Sequence, residues 1–262
     1  MKFALFLPMY NVESTITRVV DSIPEQLFTQ VSRIICIDNS SADKTLERLT
    51  ARLEDHPHRN KFKILKNKKN YSLGGSTILA IREAKEMSCD YLINLHTDGQ
   101  ATGEDLVRLY DQCDLSQQNL VLGSRFVAGS QIHDYNLDRK IGNWFFIYLQ
   151  QFLLRRNVKD LGALMALPLH RLDFDFDRIP SDMGYQPLLL IELIRRHRNI
   201  LIHEVGISWG EVESSSVNPW AYGSRHLVRC LRYAMGRSFV SLPKSPDLIS
   251  EPIGIFNQKI AR

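Results

Sequence analysis

Two hydrophobic patterns alternate along the first half of the chain. Positions 4–7, 34–37 and 91–95 are continuous apolar runs, as strands covered on both faces tend to be. Between them, Ile16, Val19, Val20 and Ile23 fall at i, i+3, i+4 and i+7, and Leu46, Leu49 and Leu53 repeat the same kind of stripe. Such spacing gives each segment one apolar helical face. The pattern predicts strands near 2–7, 33–37, 62–66, 91–95 and 120–123, with helices between them, and so a doubly wound, mostly parallel α/β sheet.

The second half is less regular. It predicts a helix over 141–154, a short extended piece near 161–167, a helix over 185–197, a strand around 200–205 and a helix over 220–235, with no internal repeat. Beyond Ser241, Pro243, Pro246 and Pro252 point to a surface-hugging or loose extension. The expected division is one domain over 1–240, with halves 1–125 and 126–240, and an extension over 241–262. Lys61, Lys63, Lys66, Lys68 and Lys69 flank the third strand, which reads as a solvated sheet edge or, less simply, as a binding patch.

Composition narrows the class of protein. In 262 residues, 44% are hydrophobic and 24% charged, which excludes disorder, collagen-like repeats and a disulfide miniprotein. The net charge of +4 is too mild for the dense basic face of a nucleic-acid binder, and it suits an enzyme handling anionic substrates. Cys36, Cys89, Cys113 and Cys230 lie far apart without a CxxC pair, as expected of free thiols in a reducing cytoplasm. Pro8 ends the first apolar run before signal-peptide length. The greasy stretch at 144–154 is well short of the roughly 18 residues a membrane span needs.

In an open parallel sheet, ligands bind beyond the carboxyl ends of the strands. The residues standing there are Pro8, Met9, Tyr10 and Asn11; then 38–43, beginning Asp38-Asn39; then 70–75; then His96, Thr97, Asp98, Gly99 and Gln100; then Gly123, Ser124 and Arg125. Acids, amides and an arginine converge on one edge. Asp38 could bind a ligand or serve as a turn acid, and Asp43, just before Thr45, is better suited to capping a helix. Gly74 and Gly75 could let backbone approach a ligand or only shape a turn.

These segments, in this order, resemble a family 2 glycosyltransferase of the GT-A (nucleotide-diphospho-sugar transferase) fold, near the dolichyl-phosphate mannose synthase and polyprenyl-phosphate glycosyltransferase branch. Pro8-Met9-Tyr10-Asn11 matches the PxYN turn. The stretch from Ile37-Asp38 to Lys44-Thr45 matches the DDGSxDxT segment, and Asn70 with Leu73-Gly74-Gly75 matches the NxGxG loop. His96-Thr97-Asp98-Gly99-Gln100 stands where the DxDxQ metal segment does, and Gly123-Ser124-Arg125 matches GSR. The resemblance runs from Phe3 to about Met235.

That resemblance implies an inverting transfer of sugar from a UDP- or GDP-sugar to an acceptor, a polyprenyl or other lipid phosphate before a glycan or glycolipid hydroxyl. It assigns Pro8, Tyr10, Asn11, Asp38, Asn70, Gly74 and Asp98 to the nucleotide, making 1–125 the nucleotide-sugar half. His96, Asp98 and Gln100 fall to Mg²⁺ or Mn²⁺, although His96 replaces the usual acid and also reads as a buried, hydrogen-bonded histidine. Arg125, Arg139 and Asn143 fall to the acceptor, making 126–240 the acceptor half. Asp160, in Val158-Lys159-Asp160-Leu161-Gly162, would be the general base for a hydroxyl acceptor, a need that an anionic phosphate oxygen does not have. Asp98, Arg125 and Asp160 are thus the catalytic candidates, and Arg225, in Tyr222-Gly223-Ser224-Arg225 after the loop 214–218, is a diphosphate clamp or a loop arginine. A nucleotide-binding GT-A scaffold without activity is the reading from another class.

The helix at 141–154 carries Trp144, Phe145, Phe146, Ile147, Tyr148, Leu149, Phe152, Leu153 and Leu154, followed by Arg155 and Arg156. It is too greasy for an ordinary exposed helix, so either the core or a bilayer interface covers it. The expected location is cytoplasmic, with peripheral contact to the inner face of the membrane.

Overall fold

The computed structural model describes residues 1–132, 137–161, 163–210, 219–236 and 248–253, of which 137–139 and 219–222 are described in backbone only. The elements in order are β1 (Phe3–Met9), α1 (Ile16–Asp21), α2 (Glu25–Gln30), β2 (Val31–Asp38), α3 (Thr45–Glu54), β3 (Phe62–Asn67), α4 (Ser72–Glu86), β4 (Tyr91–Asn94), α5 (Gly103–Asp111) and β5 (Leu120–Ser124). There follow β6 (Gln131–Ile132), α6 (Leu137–Leu154), β7 (Met165–Pro168), α7 (Tyr185–Arg196), β8 (Ile202–Gly206), β9 (Ser208–Trp209), α8 (Pro219–Ala234) and β10 (Ser250–Pro252). Eight strands form one sheet in the order β10-β3-β2-β1-β4-β7-β5-β8, and β6 pairs with β9 in a separate ribbon.

The continuous apolar runs find their explanation in this sheet. Along β1, Phe3, Leu5 and Leu7 pack on one face with α1, α2, α3 and α5, while Ala4 and Phe6 pack on the other with α4 and α7. A strand buried on both faces has no position where a polar side chain would meet water. β3, β2, β1 and β4 are mutually parallel. β7 runs antiparallel between β4 and β5, held at its entry by Asn94, whose Oδ1 accepts the Met165 N–H at 2.7 Å. β1 lies between β2 and β4, so connections leave it toward opposite sides, the arrangement that opens a crevice at the strand ends.

The structure departs from the expectations in several places. α2 went unread because Pro24 precedes it and only Leu27 and Phe28 are buried in its six residues, too few to display a period. α6 begins at Leu137, before the expected start. The edge expected at the lysine-rich stretch is closed, because β10 pairs antiparallel with β3, Ser250 opposite Asn67 and Pro252 opposite Leu65. Lys61 donates to the Val31 carbonyl at 2.9 Å, Lys63 pairs with Glu83 and Lys68 with Glu251 at 3.3 Å. The rest of the extension is outside the described residues. The four cysteines are unpaired, and burial pushes the Cys89 and Cys230 thiols up to about 11.

Gly74 has a packing reason to be glycine. A Cβ there would meet the Ser181 carbonyl oxygen at 2.4 Å and the Tyr185 Cβ at 2.5 Å, so this glycine lets the segment before α7 lie against α4, where the Gly75 N–H donates to the Ser181 oxygen at 2.9 Å. Gly74→Ala is expected to cost about 1–3 kcal/mol of stability, measured by urea unfolding. A variant as stable as the parent but weakened in nucleotide binding would return Gly74 to the ligand.

Candidate active site

At the carboxyl ends of β1, β2 and β4 opens a cavity of about 650 Å³. Pro8, Met9, Tyr10 and Val12 line it after β1, Asn39 after β2, Asn70, Ser72, Leu73 and Ser76 around the start of α4, and His96, Thr97 and Asp98 after β4. Asp182 and Met183 from the segment before α7 and Arg225, His226 and Arg229 of α8 close the other side.

One asparagine organises the floor. The Asn39 amide donates to Asn70 Oδ1 at 2.8 Å, while its Oδ1 accepts from Asn67 Nδ2 at 2.8 Å and from the Tyr71 N–H at 2.9 Å. It thereby fixes the loop after β3 against the end of β2. Asn11, with φ +52°, accepts the Ala42 N–H at 2.8 Å, so its side chain braces the loop after β2 and is not among the cavity lining. Asp43 accepts from the Thr45 N–H at 3.0 Å and from its hydroxyl at 2.6 Å. Burial alone would raise the Asp43 carboxyl, but these hydrogen bonds and the one from the Glu13 N–H bring it below its usual range.

Asp38 is 1% exposed. Its Oδ1 accepts the Ser41 N–H at 3.2 Å, whereas its Oδ2 is buried with no hydrogen-bond partner among the described residues. A buried acceptor in that condition is rare and costly, and this one lies beside the cavity-lining Asn39.

The three residues expected to hold a metal separate here. Asp98 lines the cavity, its Oδ1 accepting only the nearby Gln100 N–H at 3.1 Å. His96 lines it too, its ring T-shaped against Trp209 with centroids 5.7 Å apart and its Nε2 buried without a hydrogen-bond partner among the described residues. Gln100 turns away: its amide donates to the Gly210 carbonyl at 3.1 Å, and its own carbonyl accepts the Gly210 N–H at 2.9 Å. It holds the loop after β4 to the end of β9. Among the described residues no three His, Cys, Asp or Glu side chains cluster to hold a metal. One carboxylate with an imidazole beside it still fits Mg²⁺ or Mn²⁺ where substrate phosphate oxygens and water supply the other ligands.

A second, smaller cavity of about 50 Å³ brings Arg125, Asn143 and Asp160 together with Phe146, Gln150 and His226. Arg125 and Asp160 form a forked ion pair, Nε to Oδ2 at 2.7 Å and Nη2 to Oδ1 at 2.9 Å, and the Arg125 N–H adds a third bond at 3.1 Å. Both carboxylate oxygens are thus engaged, and the Asp160 side chain is 2% exposed, so as it stands it presents no free oxygen to an acceptor hydroxyl. The other face of the guanidinium lies 5.1 Å over Trp209. Arg139 is in the first turn of α6, with its side chain outside the described residues, as is the loop 211–218.

α8 supplies most of what the sequence reading missed. Arg225 lines the large cavity as expected, and with it come His226 and Arg229, the latter gripping Asp182 with Nη1 to Oδ1 at 3.0 Å and Nη2 to Oδ2 at 2.6 Å. Burial alone would raise the Asp182 carboxyl, but its bond from Arg229 holds it below the usual range. The only signal was the i, i+4 spacing of Arg225 and Arg229, which says nothing of a partner 47 residues away in the chain. His226 lines both cavities and its Nε2 accepts from the Gln150 amide at 3.1 Å. Burial, with Arg229 nearby, lowers it to about 4.

A doubly wound sheet with a polar cavity at its switch point and a reversed β7 at its centre defines a GT-A nucleotide-sugar transferase fold, and comparison with known proteins agrees. The family model described as glycosyl transferase family 2 matches residues 4–171. The chain belongs to that family and is a glycosyltransferase. It is 28% identical over 222 residues to an undecaprenyl-phosphate mannosyltransferase of Micrococcus luteus, covering 81% of this chain and 85% of the relative. It is 24% identical to a dolichyl-phosphate beta-glucosyltransferase of Dictyostelium discoideum, covering 89% of this chain and 75% of that one. Among solved structures, glucosyl-3-phosphoglycerate synthase from Mycobacterium tuberculosis in complex with Mn²⁺, UDP and glucosyl-3-phosphoglycerate superposes with a TM-score of 0.63 at 18% identity, covering 96% of this chain and 87% of that one.

The His226 environment has a pH signature. Because its folded value is depressed from 6.5 to about 4, the folded chain binds fewer protons than the unfolded chain between those values. The stability tied to neutral His226 is full above about pH 6.5 and is lost as pH falls toward 4, up to roughly 3 kcal/mol. His226→Asn is expected to flatten the fall of Tm between pH 7 and 4.5. An unchanged slope would assign that acid sensitivity to other groups.

Proposed function

We propose that the protein transfers a sugar, with inversion, from a UDP- or GDP-sugar to a lipid phosphate. The observation that carries this reading is the forked Arg125–Asp160 pair: a hydroxyl acceptor needs a carboxylate with a free oxygen, and an anionic phosphate needs none. The Micrococcus and Dictyostelium relatives are, by name, transferases to undecaprenyl phosphate and dolichyl phosphate.

In this reading the unpartnered Asp38 Oδ2 accepts from the base or ribose, and the Asn39 and Asn70 amides shape the floor beneath it. Asp98, with His96 beside it, would hold the divalent cation, Mg²⁺ or Mn²⁺, which when bound supplies charge neutralisation to the diphosphate. Arg225 balances the same charge from α8, and Arg229 is positioned by Asp182. The acceptor phosphate oxygen attacks the anomeric carbon from the face opposite the leaving group. The bond from that carbon to the diphosphate oxygen breaks, and its electron pair leaves with the nucleoside diphosphate. Arg125 and Asn143 orient the acceptor phosphate, and Asp160 acts by aiming the Arg125 fork.

Access to such an acceptor would come through α6. Ile141, Trp144, Phe145, Tyr148 and Phe152 fall on one face of that helix and are exposed, Tyr148 at 69% and Phe152 at 79%. Val228 and Leu231 of α8, and Met235 just after it, are likewise exposed. Among the described residues no helix is long and apolar enough to cross a membrane, so an apolar face of this size fits peripheral insertion into the interface.

Purified protein supplied with UDP- and GDP-sugars is expected to glycosylate a polyprenyl phosphate in detergent, with Asp98→Ala lowering turnover roughly 10²–10³-fold. Transfer only to glycan hydroxyls, abolished by Asp160→Asn, would overturn the lipid-phosphate reading. For the membrane contact, Phe145→Asp combined with Phe152→Asp is expected to move the protein out of the floating fraction in vesicle flotation. Unaltered flotation would place the contact elsewhere.

A further inference from the structure

We propose that the cavity at the carboxyl end of α6 is a headgroup site for an anionic phospholipid, distinct from the acceptor cavity. The inference rests on the membrane-facing reading of α6. The cavity holds about 500 Å³ and is lined by Arg155, Arg156, Arg195 and Arg198, with the Tyr233 ring and aliphatic side chains between them and no carboxylate in the lining. Four guanidinium groups around one opening, in a protein of net charge +4, concentrate positive charge where an ordinary surface would intersperse both signs.

The arginines are not equivalent. Arg156 is structural: it donates to the carbonyls of Arg198 and Ile200 at 2.6 and 2.7 Å, joining the end of α6 to the turn after α7. Arg195 lies 5.4 Å over the Tyr233 ring and 3.9 Å from Glu192, a buried acid whose other oxygen already takes Arg196 at 2.8 Å. Arg155 and Arg198 are exposed and make no ion pair among the described residues. Arg155 also stands at φ +52° directly after α6, a left-handed position that favours glycine. A long cationic side chain kept at such a position argues for work done by the side chain.

The ligand class follows from the chemistry and the place. Guanidinium forks match phosphate oxygens, and aliphatic and aromatic walls suit the glycerol and upper acyl part of a lipid. Asn143 in the acceptor cavity and Leu153 in this one lie ten residues apart on α6, roughly 15 Å along the helix, with exposed Tyr148 and Phe152 between them. The arginine opening thus adjoins the carboxyl end of the exposed face of α6, so a bilayer taking that face brings its headgroups to the arginines. The apolar face would insert while the arginine cavity takes a neighbouring headgroup, fixing how the acceptor cavity meets the membrane.

The test uses the full chain and two kinds of vesicle, phosphatidylcholine alone and phosphatidylcholine doped with phosphatidylglycerol. The parent is expected to bind both, the doped vesicles more tightly. Removing the two unpaired arginines, Arg155→Ala with Arg198→Ala, should lower affinity for doped vesicles roughly thirtyfold, about fivefold per arginine. Binding to neutral vesicles and transfer to acceptor in detergent should stay as in the parent. The pair Arg155→Lys with Arg198→Lys should recover part of the preference. An undiminished preference in the alanine variant, or equal loss on both vesicles, overturns the headgroup site while leaving the membrane face standing. If the parent binds neither vesicle, the membrane reading fails and this site with it. Stabilisation of the parent but not the variant by inorganic phosphate, without any vesicle preference, would make the cavity a site for a soluble anion and equally overturn the proposal.

Discussion

The pairing of Arg125 with Asp160 ties the two halves of the molecule together. A buried ion pair is costly to assemble and more costly to break, about 3–5 kcal/mol when one partner is removed, so the segment before β7 and the end of β5 are held in one register. The guanidinium does more than neutralise. Its face lies on Trp209, and that indole meets the His96 ring in a T-shaped contact at the rim of the large cavity. A continuous line of contacts therefore runs from the small cavity under α6, through an arginine and a tryptophan, to the loop after β4.

The same line explains why a histidine stands at the first place of the metal segment. A carboxylate there would set its charge against an indole whose guanidinium neighbour, Arg125, is already committed to Asp160. Imidazole is tolerated because it can be neutral and aromatic. Gln100, two residues beyond Asp98, is drawn off to Gly210 and secures β9, which carries Trp209. The departure of this segment from the usual pattern and the position of Trp209 are in this sense one feature.

How much could be read beforehand depended on whether a residue's role is set by its neighbours in the chain or by remote partners. The strand runs and helical stripes of the first half were legible because burial on both faces leaves a local imprint, and Pro8, Tyr10, Asn70, His96 and Asp98 reach the cavity simply by standing at element ends. The room that Gly74 leaves for Ser181 and Tyr185, over a hundred residues away, gave no local signal. Asn11 and Gln100 carry the right chemistry on the right loops, yet backbone groups at Ala42 and Gly210 claim their side chains. Asp182, His226 and Gln150 gave no signal at all, since their meaning exists only once α6, α7 and α8 have packed.

The strand β10 sets a condition on how the chain is made. Its partner β3 ends at Asn67, and the residues that cover it begin at Ser250, so β3 waits with its outer backbone groups unpaired while some 180 residues are synthesised. At roughly 5–20 residues per second, that interval is on the order of ten to forty seconds. An open parallel edge is a template for another chain, and lysines are the residues that blunt such an edge. The lysine run around β3 places charge along that edge throughout the interval before β10 closes the sheet.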